Sequence, residues 1–418
     1  MPIGTAPPGV PRPCDRRAAL LSITAIVAVA GQTACQPAAP GSAAAAPPER
    51  IVASVQAAID TELAAIGTDG PGLLIAVVSG DRVLGKGARG LADVSTRAAL
   101  GDDSQMRIAS LTKQFVAVAL LQLVEQGRIG LDDPVSRYVP ALSKAAAGAT
   151  VRSLLNHTSG LADHGDLFIN HERVAYDEDE PGGYLFAPAG SRPGEYMPTG
   201  ADVIAILAEF PTQRFETGTR WEYSNSAYIV LAQIVESVSG QRFRDYARDH
   251  LFEPLGMSDS GVLDERRPTL DRPTASYVRV DDGFSERDYS PFNQLYGDGG
   301  IYSSLRDLIA WRRALPPDVL VSLESLEEIH RPARLSDGNV ITDTPRGAGY
   351  GMGWFIDSID GEPVYLHGGW VGVRHAIYHA PVAGVWVVVL SNRADTHPYE
   401  IAERLMRTTL ADLASKTA

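Results

Sequence analysis

Two periods of apolar residues run along the chain, and they alternate in blocks. From Ile51 to Ile66 the spacing is helical. Leu73 to Val78 and Arg82 to Gly87 then read as two strands around a Gly80-Asp81 turn, a hairpin. The stretch Ile108-Ala109-Ser110-Leu111-Thr112-Lys113-Gln114-Phe115-Val116 opens a helix. Its apolar residues, among them Leu111, Phe115, Val118, Leu120, Leu121 and Leu123, cover nearly every side until Gly127 stops it. A helix apolar all round belongs inside a core. Helical spacing returns from Asp202, from Ile229 to Val238 and from Leu305 to Leu315, and strands return at Val364–Trp370, Arg374–His379 and Val385–Leu390. A terminal helix spans about Tyr399 to Leu413. Strands near both ends with helices between them predict an α+β fold: one antiparallel sheet built from residues 50–100 and 340–418, flanked by helices, and a largely helical middle over residues 101–339.

Two segments break this pattern. Residues 162–200 combine His164, Phe168, His171, Tyr176, Tyr184 and Phe186 with an acidic run and many glycines and prolines, which predicts a lid over a site. Residues 1–34 have the layout of an export signal, with Arg12, Arg16 and Arg17 ahead of an apolar run that starts at Ala18. Arg16-Arg17 matches part of a twin-arginine signal, so two export routes stay open. Cleavage fits either after Ala28-Val29-Ala30 or between Ala34 and Cys35. The second exit is that of bacterial lipoproteins and would leave Cys35 lipidated at the head of an Ala/Pro-rich tether, residues 35–49. The expected location is therefore outside the cytoplasm, either periplasmic or lipid-anchored at the cell envelope.

With 418 residues and 44% hydrophobic content, the chain is long enough for a large core. A net charge of −14 without a basic stripe argues against a nucleic-acid partner. The only cysteines, Cys14 and Cys35, precede the globular part, so no disulfide or thiolate chemistry is expected there. The nine histidines include no H-E-x-x-H, and His375 and His379 lie roughly 13 Å apart along a strand, too far to share a metal. No metal site is expected, and no pattern assigns an oligomeric state.

The candidate chemistry lies at the start of the apolar helix. Ser110 and Lys113 share a helix face, and residues three apart have Cβ atoms roughly 5–6 Å apart, so the amine can reach the hydroxyl. A serine hydroxyl needs a neighbour to take its proton, and a lysine can do so when desolvation lowers its pKa. Of the 37 basic residues only four are lysines, and arginine does not release its proton. Lys113 is the lysine with a serine three residues before it.

Three pieces stand in order: Ser110-x-x-Lys113, Tyr223-Ser224-Asn225 and His367-Gly368-Gly369. Together with Leu154-Leu155-Asn156-His157-Thr158-Ser159-Gly160-Leu161, Pro254-Leu255-Gly256-Met257 and Tyr350-Gly351-Met352-Gly353-Trp354, they resemble the serine β-lactamase and penicillin-binding protein superfamily. The tyrosine of the second motif makes the chain most similar to the branch of class C β-lactamases, D-alanyl-D-alanine carboxypeptidases and related esterases and amidases. The resemblance runs from about residue 50 to 415 and implies the β-lactamase/transpeptidase-like fold with no cofactor.

By motif it implies that Ser110 is acylated while Lys113 and Tyr223 move the proton. The Tyr223 anion would be stabilised by Lys113 and a protonated His367. Asn225 would hold the acyl-side amide, and the N–H groups of Ser110 and Trp370 would form the oxyanion hole beside Gly369. At the third motif this sequence has His367 where many relatives have lysine, so His367, or its rival Arg374, is the expected cation for a substrate carboxylate. The implied activity is an exported serine hydrolase acting on a small or peptide substrate, foremost a D-amino-acid peptide of D-Ala type. A carboxylesterase or β-lactamase using the same site is the alternative, as is a non-catalytic cell-wall or penicillin-binding protein. An α/β-hydrolase would need a G-x-S-x-G elbow, which is absent.

Overall fold

The computed structural model describes residues 49–415 except 172–174, 178–183, 187–197, 265–268, 288–291, 293, 343 and 346–348. The export signal, nearly all of the tether, and most of the candidate lid lie outside the described residues.

Helix α1 (Glu49–Ala64) leads into strands β1 (Leu73–Ser79) and β2 (Arg82–Arg89). The buried helix α2 (Thr112–Glu125), the short α3 (Val151–Leu155) and α4 (Asn225–Ser239) belong to the middle of the chain. Strands β3 (Gly349–Tyr350), β4 (Phe355–Ile359), β5 (Glu362–Trp370), β6 (Arg374–Ala380) and β7 (Val385–Ser391) follow, and helix α5 (Pro398–Ala414) closes the chain. The seven strands form one sheet in the order β3-β4-β5-β6-β7-β1-β2. Every neighbouring pair is antiparallel, so the sheet does join the two ends of the chain.

The sheet is covered on both faces, which is why β1 and β7 read as unbroken apolar runs rather than alternating ones. The period of two splits each strand between two cores. Leu73, Ile75 and Val77 pack with Val385, Val387 and Val389 against Ile51, Val55 and Ile59 of α1 and Leu405 and Met406 of α5. Leu74, Ala76 and Val78 join Trp386, Val388 and Leu390 in a second, larger core with α2 and α4. Each such side chain contributes about 1.5–3 kcal/mol on burial, and it is this second core that holds α2 beneath the sheet.

Two local features place the future site. The last pairing between β4 and β5 is Phe355 with Leu366, so from His367 onward β5 keeps β6 on one edge and leaves the other without a strand. A small antiparallel sheet of Met106–Arg107, Ile301–Ser303 and Gly261–Val262 carries the chain into the turn before α2. There Ile108 N–H donates to the Ile301 carbonyl at 2.9 Å, and Ile301 N–H donates to the Thr112 hydroxyl at 3.3 Å.

Candidate active site

The Ser110 region does not begin as an α-helix. Ala109–Leu111 forms a 3₁₀ turn, with Ala109 in the left-handed region at φ 48°, and α2 starts only at Thr112. A left-handed backbone costs a non-glycine residue about 1–2 kcal/mol. Such strain persists where surrounding contacts over-determine it, commonly at functional sites. Here the constraint comes from β5. A Cβ on Gly369 would stand 2.4 Å from the Ile108 carbonyl oxygen, so only glycine lets the strand edge come this close to the Ser110 turn.

Lys113 is fully buried, at 0% exposure, and its Nζ lies 3.0 Å from Ser110 Oγ, 3.0 Å from Asn225 Oδ1 and 2.8 Å from the Asp298 carbonyl oxygen. Burial pushes its pKa down to about 8, and the negative charges of Asp298 and Asp163 pull the other way. The two latter partners can only accept. A neutral amine therefore donates its two hydrogens to them and keeps its lone pair for the Ser110 hydroxyl, which is the arrangement a general base requires.

Tyr223 lies with its ring centroid 4.8 Å from Lys113 Nζ, just before the helix α4 that Ser224 caps. Burial drives its phenol pKa well above the ordinary value; a hydrogen bond with Ser110 opposes this, while Tyr399, Tyr228 and Asp298 add to it. Asn225 opens α4, and its backbone N–H donates to Asp163 Oδ2 at 2.7 Å.

His367 corrects an expectation. It is 2% exposed, and its Nε2 is 3.3 Å from the Tyr350 hydroxyl while its Nδ1 is 2.8 Å from the Gly368 carbonyl oxygen. Burial, reinforced by the Lys113 charge, lowers its pKa to about 3. It is a neutral ring, so it supplies no cation for a carboxylate and none for a Tyr223 anion. With that partner gone and its own pKa raised, Tyr223 stands as a phenol, not a phenolate.

Of these residues Ser110 and Asn225 line a cavity of about 250 Å³, together with Trp370, Arg107, Asp163 and Asp298 among others, whereas Lys113, Tyr223 and His367 are not part of its lining. Trp370 stands 61% exposed at the end of β5, with the Arg374 guanidinium 5.1 Å from its ring centroid. Arg374 is not part of the lining, and Arg107 is the arginine within it. Asp163 and Asp298 were missed in the sequence. Asp298 sits in the tight Gly297-Asp298-Gly299-Gly300 stretch, and that glycine clustering was the available signal. One of its carboxylate oxygens, Oδ1, is buried without a hydrogen-bond partner among the described residues. Among those residues no group of three or more acidic, histidine or cysteine side chains is arranged to hold a metal.

The family model described as "Beta-lactamase" matches residues 55–411. Penicillin-binding protein 4* of Bacillus subtilis is 29% identical over 347 residues, 79% of this chain and 70% of that protein. A D-aminopeptidase of Brucella anthropi is 28% identical over 304 residues, 72% of this chain but only 52% of the relative, so the chain spans about half of that protein. The octameric penicillin-binding protein homologue from Pyrococcus abyssi superposes with a TM-score of 0.70 at 26% identity, covering 86% of this chain and 77% of the other. D-amino acid amidase from Ochrobactrum anthropi SV3 shares the fold, with a TM-score of 0.67 at 22% identity over 88% of this chain and 100% of the other.

Proposed function

The chain belongs to the beta-lactamase family and is a serine hydrolase of that superfamily, and from this we propose that Ser110 forms an acyl-enzyme with a D-amino-acid amide or peptide, using Lys113 as base. One observation carries the reading: the Lys113 amine 3.0 Å from Ser110 Oγ, with its other two partners both acceptors. In acylation, neutral Lys113 takes the hydroxyl proton as Oγ attacks the carbonyl carbon. The N–H groups of Ser110 and Trp370 face the developing oxyanion. The Tyr223 phenol gives its proton to the leaving nitrogen and is refilled from the Lys113 ammonium, so the C–N bond breaks with the proton count balanced. Water then attacks the ester, loses its proton to Lys113, and Ser110 recovers its hydrogen.

The substrate class draws on the relatives named D-aminopeptidase and on two carboxylates in the cavity lining, Asp163 and Asp298, which suit the ammonium of a free amino terminus. The loss of His367 as a cation favours a carboxylesterase as the second reading, since such a substrate needs no carboxylate recognition. Export and a lipid on Cys35 complete the proposal and rest on the order of charged, apolar and small residues over positions 1–48.

The test compares, on one purified sample, a D-alanine p-nitroanilide, its L isomer, its N-acetylated form, a p-nitrophenyl ester, a D-Ala-D-Ala peptide and nitrocefin. Turnover led by the free-amine D-anilide supports the amidase reading. Turnover of the ester alone supports the esterase. Turnover of none of them, with no fluorophosphonate labelling of Ser110, would leave a binding protein.

A further inference from the structure

Four buried hydrogen-bond contacts join the second motif to the third. Ser224 N–H lies 3.2 Å from His157 Nδ1, His157 Nε2 lies 3.2 Å from the Tyr350 hydroxyl, that hydroxyl lies 3.3 Å from His367 Nε2, and His367 Nδ1 lies 2.8 Å from the Gly368 carbonyl oxygen. The ends are of opposite kind, which gives the string one direction. A backbone N–H only donates, so His157 Nδ1 accepts and its proton is on Nε2. That proton goes to the Tyr350 oxygen. At the other end a carbonyl only accepts, so His367 carries its proton on Nδ1, and its bare Nε2 is an acceptor facing the Tyr350 hydroxyl. Both rings are neutral and hold opposite tautomers, and a second proton on His157 would set two donors against each other at Ser224.

We propose that Tyr350 is a positioning residue, whose single hydroxyl bridges the Nε2 atoms of these two rings and holds the open edge His367–Trp370 of β5 against the Tyr223–Asn225 turn. The four parts come from separate elements. His157 follows α3 with φ 62°, Ser224 caps α4, Tyr350 lies in β3, and Gly368 sits in β5 beside Gly369 and Trp370. Nothing in the string touches the reacting atoms. Tyr223 packs against it, with its ring centroid 4.4 Å from that of His157 and 6.3 Å from that of His367, so a shift in the string moves the phenol relative to Ser110. Tyr228 stands alongside, donating its own hydroxyl hydrogen to the Leu155 carbonyl at 2.6 Å, so its oxygen is a second acceptor for the Tyr350 hydrogen beside His367 Nε2.

The kinetic part rests on Ser110 being the nucleophile; the tautomer part does not. Protein labelled with ¹⁵N-histidine reads the tautomers directly, with the signals assigned by His157→Gln and His367→Gln. The expected wild-type spectrum has His157 protonated on Nε2, His367 protonated on Nδ1, and neither ring titrating between about pH 5 and about pH 8, across the ordinary histidine range. Tyr350→Phe keeps ring and volume. It should leave the His367 proton on Nδ1, where the Gly368 carbonyl holds it, and lower kcat about ten- to hundredfold with a much smaller change in KM, as misplacement of a reacting group does. The same tautomer in both wild-type rings, a ring charged at neutral pH, or a Tyr350→Phe enzyme with wild-type kcat overturns the proposal. If Tyr350→Phe does not fold, the wild-type spectrum decides. If the wild type shows the two tautomers but Ser110 is never labelled, the positioning string stands and the acyl-enzyme reading falls.

Discussion

Replacing Lys113 with methionine separates what the amine does for chemistry from what it costs the fold. Burial lowers the lysine from its ordinary 10.5 to about 8. A group whose folded pKa is depressed binds fewer protons in the native than in the unfolded state between those two values, so native stability rises as pH rises through that window. The full shift corresponds to about 3 kcal/mol at 1.36 kcal/mol per unit. Between about pH 7 and about pH 10 the linkage relation recovers about 2–3 kcal/mol of it. Methionine has similar volume and no proton to exchange, so Lys113→Met loses this pH-dependent term.

Urea unfolding of both proteins at several pH values measures the difference. Contributions from other titrating groups are common to both, and the difference between the curves isolates Lys113. The wild type should gain about 2–3 kcal/mol relative to the variant over that range, while the absolute offset also includes the hydrogen bonds lost to Asn225 and Asp298. The same pKa should appear in kinetics as a rise of wild-type kcat/KM with pH around 8, because only the neutral amine accepts the Ser110 proton. Parallel stability curves would show that Lys113 is not a desolvated amine, and the general-base assignment would fall with them.

Ser110→Ala should fold with a melting temperature near wild type and lose all fluorophosphonate labelling, read by intact-protein mass. Gly369→Ala places a Cβ 2.4 Å from the Ile108 carbonyl oxygen, so it should cost about 1–3 kcal/mol in urea unfolding and abolish acylation by pushing β5 from the Ser110 turn. Shortening the candidate lid, residues 162–200, should change KM and substrate choice much more than thermal stability; a shortened protein that unfolds would show the segment to be core structure instead of a lid. Cys35→Ser should move the protein from the detergent phase to the aqueous phase in a partition assay, and equal partitioning of both forms would favour a soluble product.

How far the sequence alone leads depends on how local the cause is. Strands β1 and β7 were legible because burial on both faces leaves no polar position in the run, and α2 because it is apolar all round. Strand β4 was not read, since Phe355–Ile359 buries its two ends, half-buries Ile356 and exposes Asp357 and Ser358, a pattern without a clean period of two. The spacing of Ser110 and Lys113 survived an error of detail. The segment enters as a 3₁₀ turn because β5 presses on Ala109, a contact made by residues some 260 positions away in sequence, yet a separation of three residues still places the amine on the hydroxyl.

Charge state was the least legible property. A histidine in place of a lysine suggested a titratable cation, and the inference failed because burial and the Lys113 charge outweigh the Gly368 carbonyl that would favour a protonated His367. The consequence reaches Lys113. A protonated His367 nearby would repel the ammonium and lower its pKa further, whereas Asp298 and Asp163 raise it. By keeping both imidazoles neutral, the fold leaves Lys113 balanced between burial and two carboxylates at a pKa of about 8, where a tenth or so of the amine is free base at neutral pH and can regain a proton for the leaving group. Asp298 lies far in sequence from Ser110, and Asp163 stands two residues beyond the Leu154–Leu161 phrase, so the pKa that would suit Lys113 to its proposed role as base is a property of the assembled cavity.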